Sequence, residues 1–467
     1  MFSFLFLCLL IISPVSPDFS GCPQISKTCT CTQKTKGLDL NCDAASLTDL
    51  SQSVNSVAGT QQVVWYLKFR NINIGNFKYN LMGGLRVNHF IALNCSITSI
   101  DDEAFANLVD DLETLDLGQN HLERVPTPAL ENLVKLASLN LNYNKIEILH
   151  AEAFRGLISL LRLSLFGNRI KFIDNSAFLG IGGNLTQLNF GDNKLSSVPS
   201  SPLRNLTVLQ RLQVHENQIS HILGEEFLGM GENLDVLEFA SNQIEQLPAR
   251  AFANLKLLNS LDLESNKIHL IHSKAFEGIE SSLEWLKLGG NQLDSVPSDS
   301  LRRLEKLRQL DLRQNKISKI TEEDFKYYGK TLKFIYLQKN RLHSIEVNAF
   351  SNLDSLVWLY LQSNQLTLAP YETFREVLDT LEILDLHENP FHCDCRISWF
   401  RDLVQEQKVV SMPRETRCST PPALRSKAVS YVTSENLGCI NGGWNYEASL
   451  FTVFFLFYIV MNSFDVV

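Results

Sequence analysis

His215 and His221 could contribute to a metal site, Asp101-Asp102 and Glu225-Glu226 to general acid–base work, and Gly329-Lys330-Thr331 to phosphate binding. Each lacks the company that such chemistry needs. Nothing near the two histidines supplies a third ligand, so they read as a solvated surface pair. The carboxylate pairs fall in segments that read as solvated faces. Gly329-Lys330-Thr331 lacks the upstream glycine of a phosphate loop and precedes an apolar strand pattern, so it reads as a loop. No H-E-x-x-H, G-x-S-x-G or G-x-x-x-x-G-K-[ST] occurs. The expectation is a chain that is not an enzyme and has no metal site and no cofactor.

Ten cysteines carry a clearer signal. Cys8 lies in the apolar run Phe2–Ile12, which reads as a secretory leader over residues 1–20. The others divide into Cys22, Cys29, Cys31 and Cys42, then Cys95 alone, then Cys393, Cys395, Cys418 and Cys439. Even clusters in a secreted chain read as disulfide frameworks, and C-x-C without a second close pair or a histidine is poor zinc spacing. Spacing alone leaves three connectivities open in each cluster.

Between the clusters the chain repeats itself. Leu112–Pro126, LETLDLGQNHLERVP, contains L-x-x-L-x-L-x-x-N-x-L, and its asparagine position recurs at Asn120, Asn144, Asn168, Asn193, Asn217, Asn242, Asn266, Asn291, Asn315, Asn340, Asn364 and Asn389. The intervals are 24 or 25 residues. Cys95 fills the same slot one interval earlier, so it reads as a buried, unpaired residue of that column and not as a nucleophile. VVWYLKFRNINI, near Val64, is a weaker copy. That makes thirteen clear repeats and one degenerate one. In each copy x-L-x-L-x predicts a short strand whose leucines face a shared core and whose x residues face outward. The asparagine predicts a sharp inward turn whose backbone its amide satisfies.

The return halves repeat a phenylalanine ten residues after the column position, as at Phe105, Phe154, Phe178, Phe227, Phe252, Phe276, Phe325, Phe350 and Phe374, predicting a stacked apolar spine. Val125-Pro126, Val198-Pro199, Leu247-Pro248 and Val296-Pro297 predict an extended or short-turn return in place of a full helix. A stack of coils needs covers at its ends. Residues 21–60 and 390–440 are the expected caps, flanking repeats at 61–389. In the second cap Ile397, Phe400, Leu403 and Val404 stand at helical spacing.

The repeats, the opening CPQISKTCTC and the ending NPFHCDCRISWFRDLV resemble extracellular leucine-rich-repeat proteins with cysteine-rich caps. The resemblance spans residues 22–440. It implies an α/β solenoid, a curved horseshoe with a parallel sheet on its concave face and disulfide caps at both ends. It also implies the pairs Cys22–Cys31, Cys29–Cys42, Cys393–Cys418 and Cys395–Cys439. Among such proteins the array is most similar to repeat-only surface or matrix-organising proteins of the chaoptin and connectin kind. That likeness implies cell adhesion or matrix organisation. An innate immune recognition receptor without its own signalling domain, or a non-catalytic subunit of a secreted enzyme, are the alternatives.

The outward x positions are where a partner would bind. Trp285, Phe334 and Trp358 share one slot, Tyr336 and Tyr360 the next, and strands about 4.8 Å apart would set Tyr336 beside Tyr360 and Phe334 beside Trp358. Exposed Trp and Tyr are characteristic of binding hot spots, so this patch is the expected contact for a protein or glycan ligand. Arg308, Asp311, Arg313, Lys333 and Lys339 would form its polar rim. The sequons at Asn94, Asn184 and Asn205 are expected glycosylation sites. A formal net charge of −9 argues against nucleic acid as the main partner. Homo-oligomers remain open. Asn441-Gly442-Gly443, a short polar spacer and apolar Leu450–Met461 read as a lipid-attachment signal over residues 441–467, with attachment at Asn441. A retained membrane helix or simple secretion are the alternatives. The expected location is the outer face of the plasma membrane, or the extracellular space.

Overall fold

The computed structural model describes residues 21–230, 232–405 and 409–439. The expected leader (1–20) and attachment signal (441–467, with Asn441) lie outside the described residues. The chain divides into two compact units, one ending at Asn168 and including Leu179–Ile181, the other formed by Arg169–Phe178 and the residues from Gly182 onward.

The first unit opens with an antiparallel hairpin, Cys29–Lys34 against Gly37–Asp43. Five further strands add in parallel: Val63–Arg70, Arg86–Leu93, Thr114–Asp116, Ser138–Asn140 and Arg162–Ser164. Between hairpin and repeats runs the helix Leu47–Ala58. Ser46 caps it by accepting from the Asp49 N–H, and Leu50, Val54 and Val57 bury its inner face. The second unit holds nine parallel strands in sequence order, from Gln187–Asn189 to Ile383–Asp385. The short strands bury the central residue and leave its neighbours outward in nearly every case, as the leucine alternation requires. The fold is a leucine-rich-repeat solenoid with disulfides near both ends.

The asparagine column holds consecutive coils together. Asn120 Oδ1 accepts from the N–H groups of Cys95 and Ile97, both at 3.0 Å, and Nδ2 donates to Ala92 O (2.8 Å) and Leu117 O (2.9 Å). All twelve asparagines are buried. The residue before each sits where the backbone turns left-handed, as at Gln119, Tyr143, Ser241 and Lys339. Side chains pay about 1–2 kcal/mol there, and the buried amide bonds offset it. Asn71 and Asn94 adopt the same conformation, which puts Ile72 and Cys95 in the column slot. Cys95 is fully buried; its thiol donates to Phe69 O and Leu93 O, and burial pushes its pKa up to about 11. It is a packing residue.

The phenylalanine spine forms, with Phe252 stacked on Phe276 at 6.2 Å and Phe350 tilted against Phe374 at 5.8 Å. At three of the four proline sites the return is a single helical turn starting just after the proline: Thr127–Leu130, Ser200–Leu203 and Ser298–Leu301. There the spine position is leucine. Leu247-Pro248 differs, since Gln246–Leu247 pairs with Leu270–Ile271 as a two-stranded ribbon.

The disulfides join Cys22 to Cys31, Cys29 to Cys42, Cys393 to Cys418 and Cys395 to Cys439, the pairs that the cap resemblance implies. The C-terminal helix Ser398–Gln405 corrects the expected burial. Ile397 and Phe400 are buried, but Leu403 and Val404 are only half-buried. Trp399 takes their place, stacked on Phe374 at 5.3 Å with its indole N–H donating to Ala369 O at 2.8 Å. The spine thus ends on a tryptophan, whose ring face and N–H both find partners.

Candidate functional site

The outward slots bring the expected aromatics together. Tyr336 and Tyr360 are in register and stack at 5.2 Å with their rings 5° apart. Phe334 and Trp358, also in register, meet at 4.6 Å. Trp285 lies two strands from Phe334, with Gln309 between them, yet the two rings are only 6.1 Å apart and nearly parallel. Strands two apart are separated by about 9.6 Å, so the rings lean toward each other over the shorter Gln309. All five rings are half-buried. Burial raises the pKa of Tyr336 and Tyr360, and the Asp385 carboxylate adds to the rise at Tyr360. Beside the tyrosines, Gln338 Oε1 and Gln362 Oε1 are buried without a hydrogen-bond partner. Such acceptors favour a donor from a ligand.

The expected charged rim needs correction. Asp311 is only 2% exposed. Its Oδ1 accepts from the Arg313 N–H at 3.0 Å, and burial raises its pKa. The same Asx turn recurs at Asp116, Asn140, Asn189, Asp262 and Asp385, so these outward positions shape the strand ends and are not free to vary. Arg313 reaches Glu264, two coils away, at 2.7 and 2.8 Å. Gly289 makes this possible, because a Cβ there would stand 3.0 Å from Arg313 Cγ. Lys287 pairs with Asp262 at 2.8 Å and Arg308 with Glu284 at 3.3 Å. Lys333 and Lys339 are exposed.

The other chemical candidates do not assemble. Among the described residues no group of three His, Cys, Asp or Glu is placed to hold a metal ion. His215 is half-buried near Glu216 and Glu238, and His221 is exposed beside Ser220. Gly329–Thr331 is a short 3-10 turn packed against Asn352. Glu226, expected on a solvated face, is buried, and its carboxylate accepts the Leu223 N–H at 2.8 Å. Asn94, Asn184 and Asn205 are exposed, with Asn94 Nδ2 donating to Asn71.

One group was missed. Trp65 and Tyr66, in the degenerate repeat, also face outward, beside His89 and two lysines. The signal was available, since Tyr66 falls in the slot that Phe334 and Trp358 occupy.

A ladder of short parallel strands, capped by disulfides and displaying half-buried aromatics, defines a protein-interaction scaffold. The leucine rich repeat pattern matches residues 91–146, 135–183, 232–293, 281–328 and 330–391, more than half of the chain, and the chain belongs to that family. No curated protein matches the sequence. Among solved structures it is similar to a chain of the TLR13–ssRNA13 complex, with 22% identity and a TM-score of 0.57, over 80% of this chain and 60% of that one. It is also similar to a leucine-rich-repeat protein of Leptospira interrogans (23%, 0.57, 78% and 92%). A third likeness is to a chain of the Drosophila Toll–Spatzle complex (18%, 0.55, 87% and 75%). The chain thus spans 60% of the length of the first. At these identities the likeness is one of fold.

Proposed function

We propose that this is a non-enzymatic extracellular protein that mediates cell adhesion or organises matrix, in the manner of the chaoptin and connectin kind, and is held at the outer cell surface by a lipid at Asn441. It binds a protein partner through Trp285, Phe334, Tyr336, Trp358 and Tyr360. The aromatic cluster carries this reading: five half-buried rings on one sheet face, beside two amide oxygens that lack partners. Rigid aromatics of this kind supply contact area at low entropic cost. The disulfides and the exposed sequons Asn94, Asn184 and Asn205 suit an oxidising, glycosylating compartment.

The test captures partners from the native cell surface with the intact chain. Tyr336→Ala with Trp358→Ala should abolish capture while the chain remains folded, with only a modestly lower unfolding midpoint. Retained capture removes the cluster from consideration. Release of the chain by phospholipase tests the anchor in the same experiment. Selective capture of microbial glycans or lipopeptides would instead favour a recognition receptor, the reading suggested by the Toll-like folds.

A further inference from the structure

Trp65 and Tyr66 lie on the strand Val63–Arg70. Opposite them the register passes from Leu38–Val64 directly to Asp39–Tyr66, so Trp65 is the extra residue of a bulge. Two consecutive side chains of a regular strand point to opposite faces; the bulge leaves both rings half-buried and facing outward. His89, in register with Tyr66, stacks on it at 4.7 Å and meets Trp65 in a T-shaped contact at 4.7 Å. Lys36 Nζ stands 4.4 Å from the Trp65 ring centre and Lys68 Nζ 4.7 Å from that of Tyr66.

Among the described residues neither lysine is ion-paired, although Asp39 and Asn41 lie beside Tyr66 and Lys68 in register. Asp39 Oδ1 and Asn41 Oδ1 are buried without hydrogen-bond partners, so the lysines sit over rings and do not bond these two oxygens. The surrounding sequence is basic. Residues 21–90 contain seven Lys or Arg against three Asp or Glu, in a chain with a net charge of −9. Fixed on rings, the ammoniums have less freedom to lose when an anion binds. The rings they cover offer little open face for an apolar anchor or for base stacking, which single-stranded nucleic acid needs. What the surface presents is compact positive charge, suited to discrete anionic groups on a polymer.

We propose that Lys36 and Lys68, held over Trp65 and Tyr66, form a binding site for the sulfate groups of an anionic polysaccharide. The site is separate from the Trp285–Tyr360 cluster and does not depend on its function.

The test titrates the full chain with a heparin oligosaccharide, its desulfated counterpart and a single-stranded RNA at physiological ionic strength. Heparin should bind. Lys36→Ala with Lys68→Ala should weaken it about tenfold or more, since each lysine loses a charge-assisted contact. Lys36→Arg with Lys68→Arg should restore most of the affinity. Trp65→Leu keeps both charges but frees Lys36 and should weaken binding by a smaller factor. Bound sulfate should also raise the His89 pKa, seen by NMR. Trp358→Ala should leave heparin binding unchanged, which separates this site from the partner site. Failure to bind heparin, equal binding by the double alanine variant, or equal affinity for desulfated heparin or RNA would overturn the proposal.

Discussion

Two aromatic groups occupy outward slots of the same kind of strand ladder, and they are built differently. In the second unit the rings pack on each other, Trp285 against Phe334, Phe334 against Trp358 and Tyr336 against Tyr360. The charges near them are largely neutralised within the fold, Lys287 by Asp262 and Arg313 by Glu264. In the first unit the rings of Trp65 and Tyr66 carry ammoniums, and among the described residues neither ammonium is ion-paired. A slot filled by an aromatic therefore does not define a surface; what lies over the ring does. The first group presents charge, the second presents apolar area edged by amide oxygens.

Ionic strength should separate them most strongly. Raising salt from low to well above physiological should cost heparin binding at Lys36 and Lys68 about tenfold or more, because exposed charges are screened. Partner capture through Trp358 should change little. Equal salt sensitivity, measured by titration on one preparation, would erase the distinction.

Stability should separate them less. Trp358→Ala removes a ring packed on Phe334 and should destabilise the chain by about 1–2 kcal/mol, read as a lower urea midpoint. Trp65→Ala should cost less, since part of what it loses is a surface cation–π contact of about 0.5–1 kcal/mol. The reverse order would mean that the first group is the better packed.

The smallest effect concerns His89. Burial lowers its pKa, and the Lys36 charge lowers it further, against the opposing pull of Glu113. The folded state therefore binds fewer protons there than the unfolded chain. The stability His89 contributes is present above the unfolded value of about 6.5 and is lost as pH falls through it toward the folded pKa. Lys36→Ala should raise the His89 pKa toward that value and flatten this pH dependence, seen as an imidazole shift in an NMR titration. An unmoved His89 would place the Lys36 charge elsewhere.

Much of this was legible in the primary structure. Tyr336 and Tyr360 had to be neighbours once Asn340 and Asn364 were recognised as one column, because the column sets the register. The same reasoning could not show that Trp285 reaches Phe334, because that depends on how the rings lean over the side chain of Gln309 between them. Asp311 read as a rim charge because its slot faces outward; its neighbours and the Arg313 N–H enclose it. Leu403 and Val404 fitted a helical stripe, but Trp399 had the larger surface to bury and a carbonyl, Ala369 O, within reach.

The sequence by itself determined the coil: leucines spaced for a strand, an asparagine 24 or 25 residues from the next, and cysteines gathered at two ends. Those features are local and repeated, so each copy reinforces the same backbone geometry. Only the tertiary structure decided what the outward face presents. There the contacts link residues one or two coils apart, as Arg313 meets Glu264 across 49 positions, and each side chain's direction depends on the size and charge of neighbours that no single repeat contains.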